Sequence, residues 1–281
     1  MGLDHSTVES YLARIGTTWP KATDEHTLRT IQERHVLSVP FENVDCFLRR
    51  PLRLGEGAVE KIARQHRGGG CYELNSALGL LLESLGYPVT IMAARVYHGD
   101  VLMPPMRHLV LRVDAPTPYL VDVGFGFGQD RNSLLPLRFD EREPQHDPFG
   151  TYQLADAPSG DVDVLREGRP LYRIERHPRA VEDFEHTLWW FHTARESPML
   201  QALFCVLPMR DGRASLKNDS FVLLKNGERM CEQLEGVGQV RKALSEFFSI
   251  EVDAIPDFMR GPEVLGAAMA VAVEESTGHA E

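Results

Sequence analysis

Apolar positions in the first third of the chain recur at spacings of three and four, the pattern of helices that bury one face. Val8, Tyr11, Leu12 and Ile15 make one such stripe, and Leu28, Ile31, His35 and Val36 make a second. A third runs through Leu74, Ala77, Leu78, Leu81, Leu82 and Leu85, starts just after Cys71, and meets its stop at Gly86. The spacing predicts three helices in a small bundle between His5 and about Leu85, with Pro40 and Pro51 holding the connections extended or turned.

After Gly86 the period switches to two. Val89 to Val96, Arg107 to Val113 and Tyr119 to Val123 read as strands, followed by shorter candidates at 152–154 and 171–174. Turn-rich text such as Ala157-Pro158-Ser159-Gly160 separates them, which points to an antiparallel sheet or barrel rather than βαβ units. Val181 to Phe204 reads as helix with a break near Pro198. Ser220 to Met230 reads as a hairpin turning at Asn226-Gly227, and Val237 to Phe248 as an amphipathic helix. No repeat or low-complexity tract interrupts the chain.

Composition narrows the class without naming a chemistry. The 281 residues are 43% hydrophobic and 25% charged, ordinary globular values, and a chain of this size buries roughly 75% of its unfolded surface. A formal net charge of -11 argues against nucleic acid or an anionic membrane as the main partner. The longest apolar stretch, Gly266 to Val273, is far short of the ~20 residues that span a bilayer. Met1-Gly2-Leu3-Asp4-His5-Ser6 matches an N-myristoylation pattern, but no polybasic second signal accompanies it and a single acyl chain anchors only marginally, so the match is read as chance. A soluble cytoplasmic protein is expected. The 4 cysteines, Cys46, Cys71, Cys205 and Cys231, form no CxxC pair and are read as reduced thiols. His177, His186 and His192 lack the spacing and carboxylates of a metal site, so no metal is expected.

One of those cysteines stands apart. Arg67-Gly68-Gly69-Gly70-Cys71-Tyr72-Glu73-Leu74-Asn75 delivers Cys71 to the first turn of a helix, where unsatisfied N–H groups and the positive end of the macrodipole favour a thiolate. The glycines remove side-chain bulk, so a substrate backbone or thioester can approach. A base comes from the two strands joined by Asp114-Ala115-Pro116-Thr117-Pro118. A hairpin centred near Ala115 sets His108 opposite Asp122, a carboxylate that interrupts an apolar run and needs a partner. His108 then takes the proton of Cys71 while Asp122 fixes the tautomer, and such a thiolate attacks acyl carbonyls. Gly124-Phe125-Gly126-Phe127-Gly128 lacks the context of a dinucleotide site and reads as a flexible loop near these three. Phe41, Phe125 and Phe204 are candidates to line an acyl or aryl pocket, with core packing the competing reading for each.

These motifs together resemble the arylamine N-acetyltransferases. The resemblance rests on Val39-Pro40-Phe41-Glu42-Asn43, the Arg67 to Asn75 stretch, His108-Leu109-Val110-Leu111 and Val121-Asp122-Val123-Gly124-Phe125-Gly126, in that order along nearly the whole chain. It implies an α+β fold: a helical bundle (1–86) carrying the nucleophile, an antiparallel β-barrel (87–185) carrying histidine and aspartate, an interdomain helical segment (186–210) and an α/β lid (211–281). It also implies a cysteine-protease-like triad of Cys71, His108 and Asp122 at the bundle–barrel junction. By the same resemblance acetyl-CoA loads Cys71 in a ping-pong cycle, and the acetyl group passes to an arylamine, arylhydrazine or arylhydroxylamine. Phe41, Val96, Arg107, Phe125, Gly126 and Phe204 are the implied substrate- or cofactor-binding positions, and a homo-oligomer is left open.

Two departures stand out. Relatives commonly carry Thr-Ser-Pro-x-Ser-x-Phe where this chain has Thr193-Ala194-Arg195-Glu196-Ser197-Pro198-Met199, and a small Thr or Ser where it has Arg107. Both leave the acceptor open, and with it two other functions: an amide synthase that releases or cyclises a carrier-bound polyketide with the same triad, and a non-catalytic small-molecule binder.

Overall fold

The computed structural model describes residues 2–127, 130–253 and 255. Met1, Gly128 and the apolar run Gly266 to Val273 lie outside the described residues. The chain opens with α1 (His5–Arg14) and α2 (Glu25–Ser38), each started by an aspartate. Asp4 accepts from the Thr7 N–H at 3.0 Å, and Asp24 from that of Thr27 at 2.8 Å. The two-residue strand β1 (Phe41–Glu42) follows. The expected bundle of three helices then proves to hold two more elements, α3 (Val44–Phe47) and α4 (Glu56–Ala63). The first is a single turn, and the second is only eight residues long, three of them alanine or glycine, too little period for spacing to register. α5 (Cys71–Ser84) ends where expected, with Gly86 at φ +95°.

α5 is buried almost all round. Leu74, Leu78 and Leu81 belong to the same apolar core as Leu109, Leu111 and Val113 of the barrel, while Tyr72, Glu73, Asn75 and Ser76 are buried as well. Polar side chains in such a helix must find partners, and those partners build the site.

The barrel is made of β2 (Val89–His98), β3 (Val101–Leu102), β4 (His108–Asp114) and β5 (Pro118–Val121), the small hairpin β6 (Gly126–Phe127) and β7 (Asp130–Arg131), then β8 (Leu137–Arg138), β9 (Gln145–Asp147), β10 (Gly150–Asp156), β11 (Val162–Arg166) and β12 (Arg169–Pro178). Its antiparallel order is β8-β5-β4-β2-β12-β11-β10-β9, with β3 on β2 and β6–β7 as a separate ribbon. The two ends of the sheet meet through Gln145, which accepts from the Arg138 N–H at 2.7 Å and donates to its carbonyl at 3.0 Å, so the barrel is nearly closed. Alternation along β4 splits the two cores. Leu109, Leu111 and Val113 face the bundle and Val110 faces the lumen with Leu120, Leu154 and Tyr172. The expected loop at Gly126 and Phe127 is in fact the strand β6, paired with β7.

The helical stretch after the barrel is α6 (Glu185–Thr193) and α7 (Pro198–Gln201). The break falls at 194–197, and Pro198 opens the second helix rather than ending the first, as suits a residue without an N–H. Phe204 leaves this helical stretch and starts β13 (Phe204–Met209), which continues through β14 (Gly212–Lys217), β15 (Ser220–Lys225) and β16 (Glu228–Gln233), with β1 on its inner edge. Asn226 and Gly227 both take positive φ, as the tight turn between β15 and β16 requires. α8 (Gly236–Phe248) covers this sheet with Val240, Ala243, Leu244 and Phe248.

Beneath the start of α5 lies a cluster of five buried charged residues. Lys61 Nζ is 2.7 Å from Asp45 Oδ2 and 2.8 Å from Glu73 Oε1, and Arg67 reaches Glu42 Oε1 at 2.8 Å and Asp45 Oδ1 at 3.0 Å. Burial disfavours the Lys61 ammonium, yet Glu73, Glu42 and Asp45 together raise its pKa above the ordinary value. With three carboxylates to two cations, the surplus is felt at Glu73, whose pKa burial raises against the pull of Lys61. Lys61→Met leaves Asp45 and Glu73 without their shared cation. It is expected to destabilise the fold by about 3–5 kcal/mol in denaturant unfolding at neutral pH; an unchanged midpoint would remove the cluster from the list of fold determinants.

Candidate active site

Cys71 is the first residue of α5, with Gly70 as its N-cap and the Glu73 carboxylate accepting from the Gly70 N–H at 3.1 Å. The glycines ahead of it serve the inside of the protein more than a ligand. A Cβ on Gly68 would lie 1.9 Å from the Pro40 carbonyl oxygen, and one on Gly69 would strike the Glu73 side chain at 2.7 Å. The expected opening for a substrate therefore narrows to Gly70, which faces Met199 and lines a cavity.

Across from α5, His108 Nε2 lies 2.8 Å from Asp122 Oδ2, both side chains buried. The expected pairing is off by two residues. In β4–β5, Leu111 faces Val121 and Val113 faces Tyr119, so His108 and Asp122 are diagonal rather than directly opposed, and Asp122 lies just past the end of β5. A shift of two preserves the face of every side chain. His108 shares the lumen face with Val110, and Asp122 shares it with Leu120.

With Nε2 given to Asp122, the other ring nitrogen is left for Cys71, which lines the same cavity and acts on the imidazole electrostatically. Burial works against a charged ring, but Asp122 first and Cys71 second outweigh it and push His108 up to about 10. Burial likewise opposes the Asp122 charge, and His108, Asn75 and the Gly124 N–H together hold the carboxyl below its usual range. Asp122 Oδ1 accepts from Asn75 Nδ2 and from the Gly124 N–H, each at 2.9 Å. The Tyr172 ring packs 5.0 Å from that of His108.

Asn75 is the supporting residue that sequence reasoning did not assign a role. It sits one turn after Cys71 on the same face of α5, donates to the Leu109 carbonyl at 2.7 Å and accepts from the Val123 N–H at 2.9 Å. The helix of the thiol is thus fastened to the strands of the base and its carboxylate. Its signal was available as an amide four residues after the cysteine, one turn along the same helix face. Gly124 completes the junction, since a Cβ there would lie 2.7 Å from Cys71 Cα.

Cys71 and His108 open onto a cavity of about 470 Å³. All six positions expected to bind substrate or cofactor line it: Phe41, Val96, Arg107, Phe125, Gly126 and Phe204. The Phe41 and Phe204 rings stack at 5.5 Å, and Phe125 packs edge-on to His108 at 5.2 Å. Leu188, Phe191 and Met199 from α6 and α7 close the far wall. Among the described residues no group of His, Cys, Asp and Glu is arranged to hold a metal ion, and no helix is long and apolar enough to cross a membrane.

A thiol beside a hydrogen-bonded imidazole and carboxylate, at the wall of an apolar cavity, constitutes the equipment of nucleophilic acyl transfer. The N-acetyltransferase family model matches residues 24–257. The arylamine N-acetyltransferase of Mycolicibacterium smegmatis is 32% identical over 253 residues, covering 86% of this chain and 91% of the relative. Among solved structures, the arylamine N-acetyltransferase of Salmonella typhimurium superposes with a TM-score of 0.81 at 25% identity, over 96% of this chain and 100% of that one. The Mycobacterium marinum enzyme in complex with CoA gives 0.75 at 29% identity, over 86% and 92%. The chain belongs to the arylamine N-acetyltransferase family.

The raised His108 pKa carries a sign. A ring whose pKa rises on folding from about 6.5 stabilises the fold fully below that value and loses its contribution as pH climbs towards 10. Nitrogen NMR of His108 should show an imidazolium persisting at about pH 8; a ring titrating at the ordinary histidine value would contradict this electrostatic account.

Proposed function

We propose that this chain is an acetyl-CoA-dependent arylamine N-acetyltransferase that works by a ping-pong mechanism through acetyl-Cys71. The observation that carries the reading is the Cys71 thiol at the wall of the cavity beside the hydrogen-bonded pair of His108 and Asp122. In the resting site His108 already holds the thiol proton as an imidazolium, and the Cys71 sulfur attacks the thioester carbonyl of acetyl-CoA as a thiolate. Collapse of the tetrahedral adduct expels the CoA thiolate, which receives that proton from His108. An arylamine or arylhydrazine then occupies the cavity and its nitrogen attacks the acetyl-cysteine. His108, left neutral in the acetyl-enzyme, receives the amine proton as the Cys71 sulfur departs as a thiolate, so the two half-reactions together restore the ring as it began. Asp122 keeps the Nε2–H directed at itself and stabilises the imidazolium cation. The Phe41–Phe204 stack and Phe125 supply the apolar surface against which the acyl group and aromatic ring pack. The CoA-bound state of the Mycobacterium marinum relative supports the same donor here.

Mixing the protein with acetyl-CoA alone is expected to add one acetyl group to Cys71, read by intact mass, and Cys71→Ser is expected to form no adduct and to lose turnover. No adduct on the native protein would reject the reading in favour of an amide synthase or a non-catalytic binder. Asp122→Asn is expected to lower the rate by about 10⁴-fold, because it removes the acceptor that sets the His108 tautomer. A loss under tenfold would take Asp122 out of the proposed triad.

A further inference from the structure

Arg107 is the cationic residue of the cavity that the proposed chemistry leaves unused. Setting aside the histidines and Cys71, the lining side chains that carry charge at neutral pH are Glu73 and Arg107. Glu73 is already spent, one oxygen on Lys61 and the other on the Gly70 N–H. Arg107 has no carboxylate partner among the described residues. Its guanidinium lies over the Trp190 ring at 4.9 Å and the Phe191 ring at 5.3 Å. Aromatic faces hold a guanidinium in place but leave its in-plane N–H donors unfilled. The backbone fixes the position as well. The Arg107 N–H donates to the Ala94 carbonyl at 3.0 Å, directly ahead of His108 in β4.

A half-buried, pre-oriented guanidinium on the wall of an otherwise apolar cavity fits a planar oxyanion that accepts two parallel hydrogen bonds. The phosphates of a CoA thioester are poor candidates, since they sit at the far end of a pantetheine arm too long for a cavity of this volume. We propose that Arg107 is a specificity residue that binds a carboxylate on the substrate part lodged beside Cys71. That carboxylate is either a ring substituent of the aromatic amine or the distal carboxylate of a dicarboxylic acyl group. The inference rests on the acyltransferase reading and adds to it the charge of the preferred substrate.

Two matched pairs separate the sources. One compares 4-aminobenzoate with 4-aminobenzamide as acceptors at fixed acetyl-CoA. The other compares succinyl-CoA with butyryl-CoA as donors at a fixed amine. In the native protein kcat/KM should favour the anionic member of one pair by about 10- to 100-fold, the range for a charged hydrogen-bonded contact. The preference should collapse towards unity in Arg107→Met and be kept in part by Arg107→Lys. A merely structural role in holding α6 would change both members of a pair alike. Ratios that Arg107→Met leaves unaltered in both pairs would overturn the proposal. If no thioester acylates Cys71, the acyltransferase reading fails, and the inference is then read by calorimetry. Tighter binding of 4-aminobenzoate than of 4-aminobenzamide, lost in Arg107→Met, supports it, and equal binding overturns it.

Discussion

Three carboxylates and two cations are buried together beneath the turn that carries Cys71, and each belongs to a different local segment. Glu42 ends β1, Asp45 lies in α3, Lys61 in α4, Arg67 opens the glycine run and Glu73 sits in the first turn of α5. Charges removed from water are tolerated only when each meets a partner at close range. The five segments are therefore placed by one another. Glu42 also accepts from the Val44 N–H at 2.6 Å and Glu73 from the Gly70 N–H, so the cluster reaches the backbone on both sides. The position of the Cys71 sulfur is set by this packing before any substrate arrives, as preorganised catalysis requires.

A second fastening works from the barrel side. His108 and Asp122 both lie on the lumen face of their strands, above Val110, Leu120 and Tyr172, while their neighbours Leu109, Val121 and Val123 face the bundle. The imidazole and carboxylate thus come from the rim of one core and the thiol from another. Asn75 joins them, with its amide spent on Asp122, the Leu109 carbonyl and the Val123 N–H. Gly124 allows the approach, since any side chain there meets Cys71. The chemistry occupies a seam, and what holds the seam is hydrogen bonding rather than apolar burial alone.

Much of this was legible in the amino-acid order because its physics is local. A cysteine at a helix start, a histidine and an aspartate on strands of matching parity, and an Asn-Gly turn are set by near neighbours. Parity survived an error in register because the strand period is two, so His108 and Asp122 were brought together even though the true pairing is displaced by two residues. What could not be read depends on distant contacts. The need for Gly68 and Gly69 comes from Pro40 and Glu73, and no spacing announces that Lys61 will be buried among three carboxylates. α4 was invisible because eight residues give too little period, and its place is fixed instead by that buried lysine.

The elements that choose the substrate are built differently from those that hold the thiol. Cys71 sits on a helix whose residues Tyr72 to Leu78 are all buried, whereas α6, which supplies Leu188 and Phe191 to the cavity, has no fully buried residue. α7 adds Met199, whose carbonyl is held at 2.9 Å by Asn43. Substitution in α6 and α7 changes the cavity wall without disturbing the partners of Lys61 or Asn75. A packed core resists change in volume, and a half-exposed wall does not. The same arrangement of Cys71, His108 and Asp122 can therefore sit behind different walls, and under the proposed function the charge and shape of the accepted substrate are to be sought at Arg107, Met199 and the face of α6.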